Sequence, residues 1–339
     1  MKQRTSILFL TRLYNPHIGG VEKHVAEVAK ILQGKGYKLT IVTEQYDKKL
    51  KDVEVVNGVK VIRIPVGKNS FFKKFLIWKW TIRNCFFVSS FDVVHVHDVF
   101  FWLFPIRLFF FWKKMYITFH GYEDFPVKKR WILMRKVTEM MANGSICVGK
   151  FMKKWYFASP TYISYGGARL EEKNIGENQM GAVFFGRLEG QTGVMQYVDA
   201  YKKIKAQYPK FSLTIVGDGP LKRKLPKNVT YKPFTQDVFS YIAKNKFIFV
   251  SRYLSMIEAL VMDKTVVAVY DNPIKKDYLL MSPFKKYVET FGTADEIADF
   301  IIKRLKEKNK TNNDEAVVWA KSQTWEKVTN TYLSLWGLK

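Results

Sequence analysis

The feature that most constrains this sequence is the alternation of apolar runs of strand length with segments of helical periodicity. Three junctions follow one another in the second half: residues 183–194 (VFFGRLEGQTGV), 213–220 (LTIVGDGP) and 251–270 (SRYLSMIEALVMDKTVVAVY). In each of them an apolar run stops at a turn and a helical pattern follows. This order is typical of doubly wound α/β domains. Ligands of such sheets bind where strands end and helices begin, because unpaired helix amides point there.

The first half repeats the alternation and predicts a second sheet. Its strand-like runs include SILFL, LTIVTE, VKVIRIP, DVVHVH and MYITFH. An amphipathic helix is predicted after Gly20, ending near Gly34 and Gly36. A chain of 339 residues suits two domains. We place them at residues 1–165 and 170–320, with the boundary in a polar stretch at 160–177.

The charge of the chain is unusual and unevenly distributed. The net charge is +26, from 56 basic and 30 acidic side chains. Residues 1–170 hold 29 basic and 11 acidic side chains, a net of +18, whereas residues 171–339 hold 27 and 19, a net of +8. One interpretation is an anionic partner facing the first half: a membrane surface, a polyanionic acceptor or nucleic acid. The other is an ordinary lysine-rich surface.

The sequence suggests a cytoplasmic protein. Few apolar residues precede Arg12, so the start is unlike a signal peptide. The longest apolar run, residues 99–112, contains Pro105 and Arg107 and is shorter than the ~18 residues of a membrane span. Two cysteines give no disulfide framework. Residues 71–87 (FFKKFLIWKWTIRNCFF) fit either a membrane-interface segment or a packed helix with exposed lysines.

The three junctions carry candidate ligand-binding residues. Arg187 follows an apolar strand and could form a bidentate phosphate contact, although an ordinary surface arginine is the alternative. Gly219 belongs to a Gly-Asp-Gly turn that permits close backbone approach. Ser255 and Glu258 fit a capping box, which would open a helix and direct the amides of residues 254–256, including Leu254, at a diphosphate.

These motifs together resemble the family-4 glycosyltransferases, which are retaining enzymes with the GT-B fold and nucleotide-sugar donors. The resemblance implies two Rossmann-like domains facing a cleft. It assigns the donor ribose to Glu258, with helix capping as its alternative role, and the donor phosphates to Arg187. The family's second phosphate-binding residue is a lysine, whose place is taken here by Thr192, which would offer the phosphates a hydroxyl hydrogen bond but no charge. NPHIGGVEKHV is similar to the family's glycine-rich loop and gives Gly20 a role near the phosphates.

The resemblance extends over nearly the whole chain. ITFHGYE is similar to a strand end of the family and would place His120 near the reacting sugar, the alternative being a histidine that caps the next turn. WAKSQTWEKVTNTYLSLW resembles the family's closing helices, so the segment 324–339 is expected to pack back onto the first domain. Two motifs depart from the family. The first of its two glutamates is replaced by Val250, and its interdomain N-G-V-D element is replaced by residues 165–168 (YGGA).

The sequence predicts chemistry without a metal or a cofactor. All five histidines lie in the first half, but no cluster has zinc-ligand spacing. The chain also has no D-x-D pair, which argues against the metal-dependent GT-A class. The expected activity is transfer of a hexose from a nucleotide-diphosphate sugar to a lipid-linked or polymeric acceptor. Two alternatives are a non-catalytic relative that binds a membrane or polyanion, and a nucleotide-sugar epimerase; nucleic acid is the less expected partner.

Overall fold

The computed structural model describes residues 5–67, 70–123, 125–169, 179–235, 237–307 and 314–338. The chain divides into two compact units, Met1–Ser164 with Trp325–Lys339, and Tyr165–Thr324. Each unit is built on one mainly parallel sheet, of eight strands in the first and six in the second. The predicted α/β class with two parallel sheets is therefore confirmed. The second part of the predicted boundary stretch, from residue 170 to residue 177, lies outside the described residues.

The first sheet has the strand order β3-β4-β2-β1-β5-β6-β7-β8. Its strands are β1 (Ser6–Thr11), β2 (Lys38–Glu44), β3 (Val53–Val56), β4 (Val59–Ile64), β5 (Val93–His97), β6 (Met115–Phe119), β7 (Ser145–Val148) and β8 (Tyr162–Ser164). All neighbours are parallel except β3 and β4. β3 is an addition to the predicted strands. Asn57 and Gly58, with φ of 50° and 82°, form the two-residue turn that pairs β3 with β4.

In the part of the chain that the structure describes, six helices of the first unit come before the second sheet. They are α1 (Gly20–Gly34), α2 (Ser70–Arg83), α3 (Cys85–Ser89), α4 (Leu103–Phe109), α5 (Lys129–Met141) and α6 (Phe151–Trp155). The predicted apolar face of α1 is buried at Val25, Val28 and Leu32. No helix in the described part of the chain is long and apolar enough to cross a membrane.

The second sheet has the order β11-β10-β9-β12-β13-β14 and is parallel throughout. Its strands are β9 (Gln179–Phe185), β10 (Ser212–Val216), β11 (Thr230–Lys232), β12 (Asn245–Val250), β13 (Thr265–Val269) and β14 (Val288–Phe291). Successive residues 247–250 of β12 and 266–269 of β13 are all buried. Because neighbouring side chains of a strand point to opposite faces, both faces of this sheet are covered.

The helices described in the second unit are α7 (Val194–Gln207), α8 (Phe239–Lys244), α9 (Tyr253–Val261), α10 (Pro273–Leu280), α11 (Ala294–Lys306) and α12 (Asp314–Lys321). α7 and α11 pack together over one face of the sheet. Tyr197 of α7 stacks on Phe249 with ring centroids 4.6 Å apart, and its hydroxyl donates to the Val250 carbonyl at 2.8 Å. This contact ties α7 to the end of β12, next to the third sequence junction.

The last helix, α13 (Trp325–Trp336), belongs to the first unit and packs against α1. The Tyr332 hydroxyl lies 2.9 Å from His24 Nε2 and 2.9 Å from Thr118 Oγ1, so it joins α13 to α1 and β6. Trp336 Nε1 donates to His95 Nδ1 at 3.1 Å and joins α13 to β5. Large aromatic side chains with satisfied polar atoms therefore fasten this helix to the interior of the unit.

Four histidines form a cluster inside the first unit. The ring centroids of His24 and His120 are 4.7 Å apart, and those of His95 and His97 are 5.0 Å apart. Burial lowers the pKa of His120 to about 3 and the pKa of the other three well below the usual value, with neighbouring histidines adding to the effect. The imidazoles are therefore neutral near pH 7. Burial also raises the pKa of Asp98, which follows β5, to about 6.

The attachment of α13 can be tested at Trp336. Replacement by Ala removes a side chain that is 3% exposed together with its hydrogen bond to His95. We expect Trp336→Ala to lower the free energy of unfolding by about 3–5 kcal/mol, measured by urea denaturation. Val318→Ala, which trims an exposed side chain, is the control and should cost little. Equal stability of the two variants would contradict this packing.

The histidine cluster predicts that stability falls as the pH falls. Below the unfolded-state pKa of about 6.5, the unfolded chain takes up protons that the four buried imidazoles do not bind. Each histidine then lowers the free energy of unfolding by roughly 1 kcal/mol between pH 7 and pH 5.5. Asp98 acts in the opposite direction, because its folded-state pKa of about 6 lies above its unfolded value, but it is one group against four.

Urea denaturation at each pH, in low and in moderate salt, measures this effect. Screening weakens the repulsion between surface charges, so a decline that persists in salt belongs to the buried groups. A free energy of unfolding that stays constant or rises from pH 7 to pH 5.5 would contradict the burial of neutral histidines.

Candidate functional site

The three sequence junctions come together at the carboxyl edge of the second sheet. β10 and β12 flank β9, so the segments that follow these three strands are neighbours. The Gly186 amide donates to the Val216 carbonyl at 3.1 Å, and the Leu188 amide donates to the Asp218 carbonyl at 2.8 Å. These bonds join the loop that contains Arg187 to the Gly-Asp-Gly turn. In parallel α/β sheets this edge is where ligands bind.

The glycines of the second junction allow the two loops to touch through their backbones. A Cβ on Gly217 would lie 1.9 Å from the Gly186 carbonyl oxygen, and one on Gly219 would lie 2.6 Å from the Leu188 carbonyl oxygen. Gly219 also has φ of +150°, which side-chain-bearing residues rarely adopt. Gly219 thus has a structural reason to be glycine, and its contact with a donor stays a prediction.

Arg187 is placed where a phosphate could reach it. Its side chain is half exposed, two residues after the end of β9, and its Nη1 lies 3.3 Å from the Glu189 carboxylate. An exposed ion pair of this kind contributes little to stability. A diphosphate that offers two oxygens to the guanidinium can therefore replace Glu189 at small cost.

Thr192 differs from its expected role as a hydroxyl donor to the phosphates. The residue is 3% exposed, and its hydroxyl donates to the carbonyls of Arg187 at 2.8 Å and Glu189 at 2.7 Å. The single hydroxyl proton is thus used within the loop. In this arrangement Thr192 shapes the 3-10 turn Gly190–Thr192 and fixes the backbone that carries Arg187. Direct contact of Thr192 with a donor stays a prediction that requires its hydroxyl to turn.

The predicted capping box at Ser255 and Glu258 is wrong. Helix α9 begins at Tyr253, with Arg252 as its N-cap and no capping side chain, so Ser255 lies within the first turn. The Tyr253 amide donates to the Tyr278 hydroxyl oxygen at 2.8 Å, and this contact replaces the cap. Nor is the Met256 amide directed outward as predicted, because it donates to the Arg252 carbonyl at 3.1 Å.

Leu254 and Ser255 are then the second and third residues of α9, where amides have no acceptor within the helix. Glu258, no longer explained by a capping box, lies in the sixth position of the helix and is 4% exposed. A buried carboxylate beside a ligand-binding edge is compatible with the ribose role that the family resemblance implies. That role stays a prediction.

Arg252 was missed by the sequence analysis. Its Nη2 donates to Gln191 Oε1 at 2.9 Å, which joins the third junction to the loop of the first. Its guanidinium also lies 5.8 Å from the centroid of the Tyr278 ring. The signal was available: Arg252 comes two residues after the end of β12, just as Arg187 comes two residues after the end of β9. Equivalent offsets on adjacent parallel strands bring two guanidinium groups to one edge of the sheet.

Lys275 was also missed, and its buried side chain holds the backbone at the same edge of the sheet. The side chain is buried, and its Nζ donates to the Ser251 hydroxyl at 2.9 Å and to the Ser251 carbonyl. Burial lowers its pKa well below the usual value, and the nearby charge of Arg252 lowers it further. Lys275 therefore fixes the turn between β12 and α9, on which Arg252 lies and from which the first turn of α9 starts.

The remaining predicted residues belong to the first unit. His120 follows β6; its amide donates to Asp98 Oδ1 at 2.8 Å, and its Nε2 lies 3.0 Å from His97 Nδ1. In its alternative role, the His120 side chain would cap the next turn. The structure shows a different contact, in which the Asp98 carboxylate accepts a hydrogen bond from the His120 amide. The catalytic role of His120 stays a prediction.

Gly20 begins α1, and a carboxylate lies close to it. A Cβ on the preceding Gly19 would be 2.2 Å from Glu22 Oε2, and Glu22 Oε1 is also 2.8 Å from His17 Nδ1. An anion that approached the start of α1 would therefore meet the charge of Glu22. The predicted approach of the Gly20 loop to the donor phosphates stays a prediction.

The described residues include no group of three or more His, Cys, Asp or Glu side chains placed to hold a metal ion. The groups that the site offers are guanidinium groups, helix amides and glycine turns.

Comparison with known proteins gives a match to one family model and a fold shared with several solved structures. The family model of Glycosyltransferase Family 4 matches residues 18–159. Sucrose-phosphate synthase from Thermosynechococcus elongatus has a similar structure, with a TM-score of 0.77 at 14% identity over 98% of each chain. HepE from Anabaena, solved with UDP and glucose, gives a TM-score of 0.74 at 16% identity over 98% of this chain and 99% of its own.

A third similar structure is WaaG, a glycosyltransferase involved in lipopolysaccharide biosynthesis, with a TM-score of 0.70 at 13% identity over 96% of this chain and 99% of its own. A comparison with curated protein sequences gave no match. The Glycosyltransferase Family 4 model is thus matched over residues 18–159, and the similar solved structures show that the chain has the GT-B fold of two Rossmann-like domains.

Proposed function

We propose that the protein transfers a hexose, with retention of configuration, from a nucleotide-diphosphate sugar to a lipid-linked or polymeric acceptor. The observation that carries the proposal is the meeting of Arg187, Arg252 and the first turn of α9 at one edge of the second sheet. Cations and helix amides in such a position stabilise the diphosphate as its charge develops during departure. Retention of configuration rests on the family resemblance.

Each donor group has a residue suited to it. Arg187 and Arg252 are assigned to the phosphates, with the amides of Leu254 and Ser255 beside them. Glu258 is assigned to the ribose hydroxyls, which can donate to a carboxylate. Arg252 takes the place of the missing family lysine as the second cation, so we propose that the transfer needs neither a metal ion nor a cofactor.

The first unit is assigned to the acceptor. His120, with a pKa of about 3, is neutral and would contact a sugar through hydrogen bonds rather than through charge. The net charge of +18 over residues 1–170 favours an anionic membrane as the surface at which a cytoplasmic protein would meet a lipid-linked acceptor. Nucleic acid is the less suitable partner.

One observation favours a second candidate, a catalytically degenerate relative that binds a membrane or a polyanion. Val250 occupies the place of the family's first glutamate; it is fully buried, and its carbonyl accepts the Tyr197 hydroxyl. No carboxylate is supplied at this position. Nucleotide binding and sugar transfer must therefore be measured separately.

Nucleotide binding tests the two arginines. We expect at least one of UDP, GDP and ADP to raise the melting temperature of the protein, because a ligand at ~100 times its Kd adds about 2.7 kcal/mol. Arg187→Gln and Arg252→Gln should each weaken binding by ~1.5–3 kcal/mol through loss of a charge-assisted hydrogen bond. Lys210→Gln, which removes an exposed charge elsewhere in the unit, is the matched control.

Inorganic pyrophosphate separates the phosphate contacts from the ribose contact. The two arginine variants should weaken binding of both pyrophosphate and the nucleotide, whereas Glu258→Gln should weaken binding of the nucleotide alone. If all three nucleotides at millimolar concentration leave the melting temperature unchanged, the donor site is contradicted and the second candidate is favoured.

The role of Thr192 predicts a contrast between two substitutions. Thr192→Ser keeps the hydroxyl that holds the carbonyls of Arg187 and Glu189, whereas Thr192→Val removes it. We expect Thr192→Val to cost about 1–2 kcal/mol in the free energy of unfolding and also to weaken nucleotide binding, because Arg187 loses its fixed backbone. Calorimetry and urea denaturation measure the two effects. Equal behaviour of both variants would mean that the hydroxyl does not hold the loop.

A further inference from the structure

Helices α2 and α3 expose an apolar face instead of burying it. Phe72, Phe75, Leu76, Ile82 and Phe86 recur at helical spacing and are all exposed, Phe86 to 79%. The opposite side supplies the contacts with the unit: Ile77 and Val88 are fully buried. A helix on the surface of a globular domain normally shows the reverse arrangement, with its polar residues outward.

The exposed apolar surface continues onto the end of α4 and the turn after it. Leu108 and Phe109 are exposed, as are Phe111 to 70% and Trp112 to 66%. α4 packs against both α2 and α3. We call the exposed apolar side chains of α2, α3 and residues 108–112 the aromatic face.

Ring contacts show that the two parts of the aromatic face adjoin. The Phe86 ring lies 6.2 Å from that of Phe110, which in turn lies 5.6 Å from that of Trp112. A contiguous apolar area of this kind marks an interaction site on a protein surface.

The charged side chains of α2 and α3, the two helices that carry most of the aromatic face, are all positive. Residues 70–91 contain Lys73, Lys74, Lys79 and Arg83 and no acidic residue. Lys74, Lys79 and Arg83 are exposed among the apolar side chains, while Lys73 pairs with Glu44. A complementary partner must therefore offer both an apolar interior and negative charge.

We propose that the aromatic face docks the protein on an anionic lipid bilayer. Its Phe, Leu, Ile and Trp side chains enter the boundary between headgroups and acyl chains, and its cations contact anionic headgroups. A second copy of the chain would bring like charges together. A nucleic acid would satisfy the charge but offers little apolar surface to Leu108 or Ile82. This inference deepens the membrane part of the proposed function and does not depend on donor binding.

Vesicle binding tests the apolar contribution at constant charge. The wild-type chain should bind vesicles that contain phosphatidylglycerol and bind phosphatidylcholine vesicles weakly. The triple substitution Ile82→Gln/Phe86→Gln/Phe111→Gln should weaken binding to the anionic vesicles by more than about tenfold. Its matched control is Val53→Gln/Val55→Gln/Val318→Gln, which changes three exposed apolar side chains outside the face and should leave binding unchanged.

A second pair of variants tests whether the position of the charge matters. Lys79→Gln/Arg83→Gln should weaken binding to the anionic vesicles by roughly tenfold or more, while Lys210→Gln/Lys227→Gln removes the same charge from the other unit and should have little effect. Equal loss in both pairs would mean that net charge alone attracts the protein, which would overturn the proposal.

Trp112 reports insertion directly. Its fluorescence should shift to shorter wavelength on anionic vesicles, and brominated lipids should quench it; both signals should be reduced in Trp112→Phe. The proposal is overturned if the wild type binds neutral and anionic vesicles equally, or if the triple variant binds anionic vesicles as well as the wild type. It is also overturned if sedimentation shows that the wild type self-associates and that loss of self-association is the single effect of the triple substitution. Melting shifts with UDP, GDP and ADP, measured on the same variants, keep failure of docking distinct from failure of donor binding.

Discussion

The candidate donor site depends on backbone contact between two loops of the second sheet. The carbonyls of Gly186 and Leu188 lie where side chains of Gly217 and Gly219 would otherwise be, so the loop after β9 and the turn after β10 share hydrogen bonds directly. Any side chain at either glycine would force these loops apart. The loop after β9, which carries Arg187 and also Gln191, the hydrogen-bond partner of Arg252, would then be displaced. The position of both cations therefore follows from the absence of two Cβ atoms.

The loop after β9 also shows how a missing lysine can be compatible with phosphate binding. With Thr192 at that position, the side chain turns inward and holds the Arg187 carbonyl, whereas a lysine directed at a phosphate would leave that carbonyl without this hydrogen bond. The positive charge comes instead from Arg252 on the neighbouring junction. Arginine suits this position because its planar guanidinium can donate to Gln191 and still present further donors to a phosphate. In our proposal the site keeps two cations and gains a more rigid loop.

The sequence predicted the layout of the molecule well because the layout depends on local patterns. Apolar runs such as LTIVG and helical periodicity such as that of α1 give strands and helices whatever their neighbours are. The start of α9 was predicted wrongly because the S-x-x-E pattern at Ser255 ignored the Tyr278 hydroxyl, which comes from a helix 25 residues away. The links from Arg252 to Gln191 and from Lys275 to Ser251 also join distant segments. Such contacts depend on tertiary packing, which residue spacing does not encode.

The first unit contains buried aromatic side chains, which stabilise its fold, and exposed ones, which favour association with a partner. Tyr332 and Trp336 are buried and pair their polar atoms with histidines, so they stabilise the fold. Phe86, Phe111 and Trp112 remain in water, where they contribute little to the fold and favour association. Lys74, Lys79 and Arg83 are exposed on α2, which carries part of the same face. This combination matches the boundary of an anionic bilayer, where the interior is apolar and the headgroups are charged. A bilayer satisfies both properties of the face, whereas a purely apolar partner would leave Lys79 and Arg83 desolvated without counter-charges.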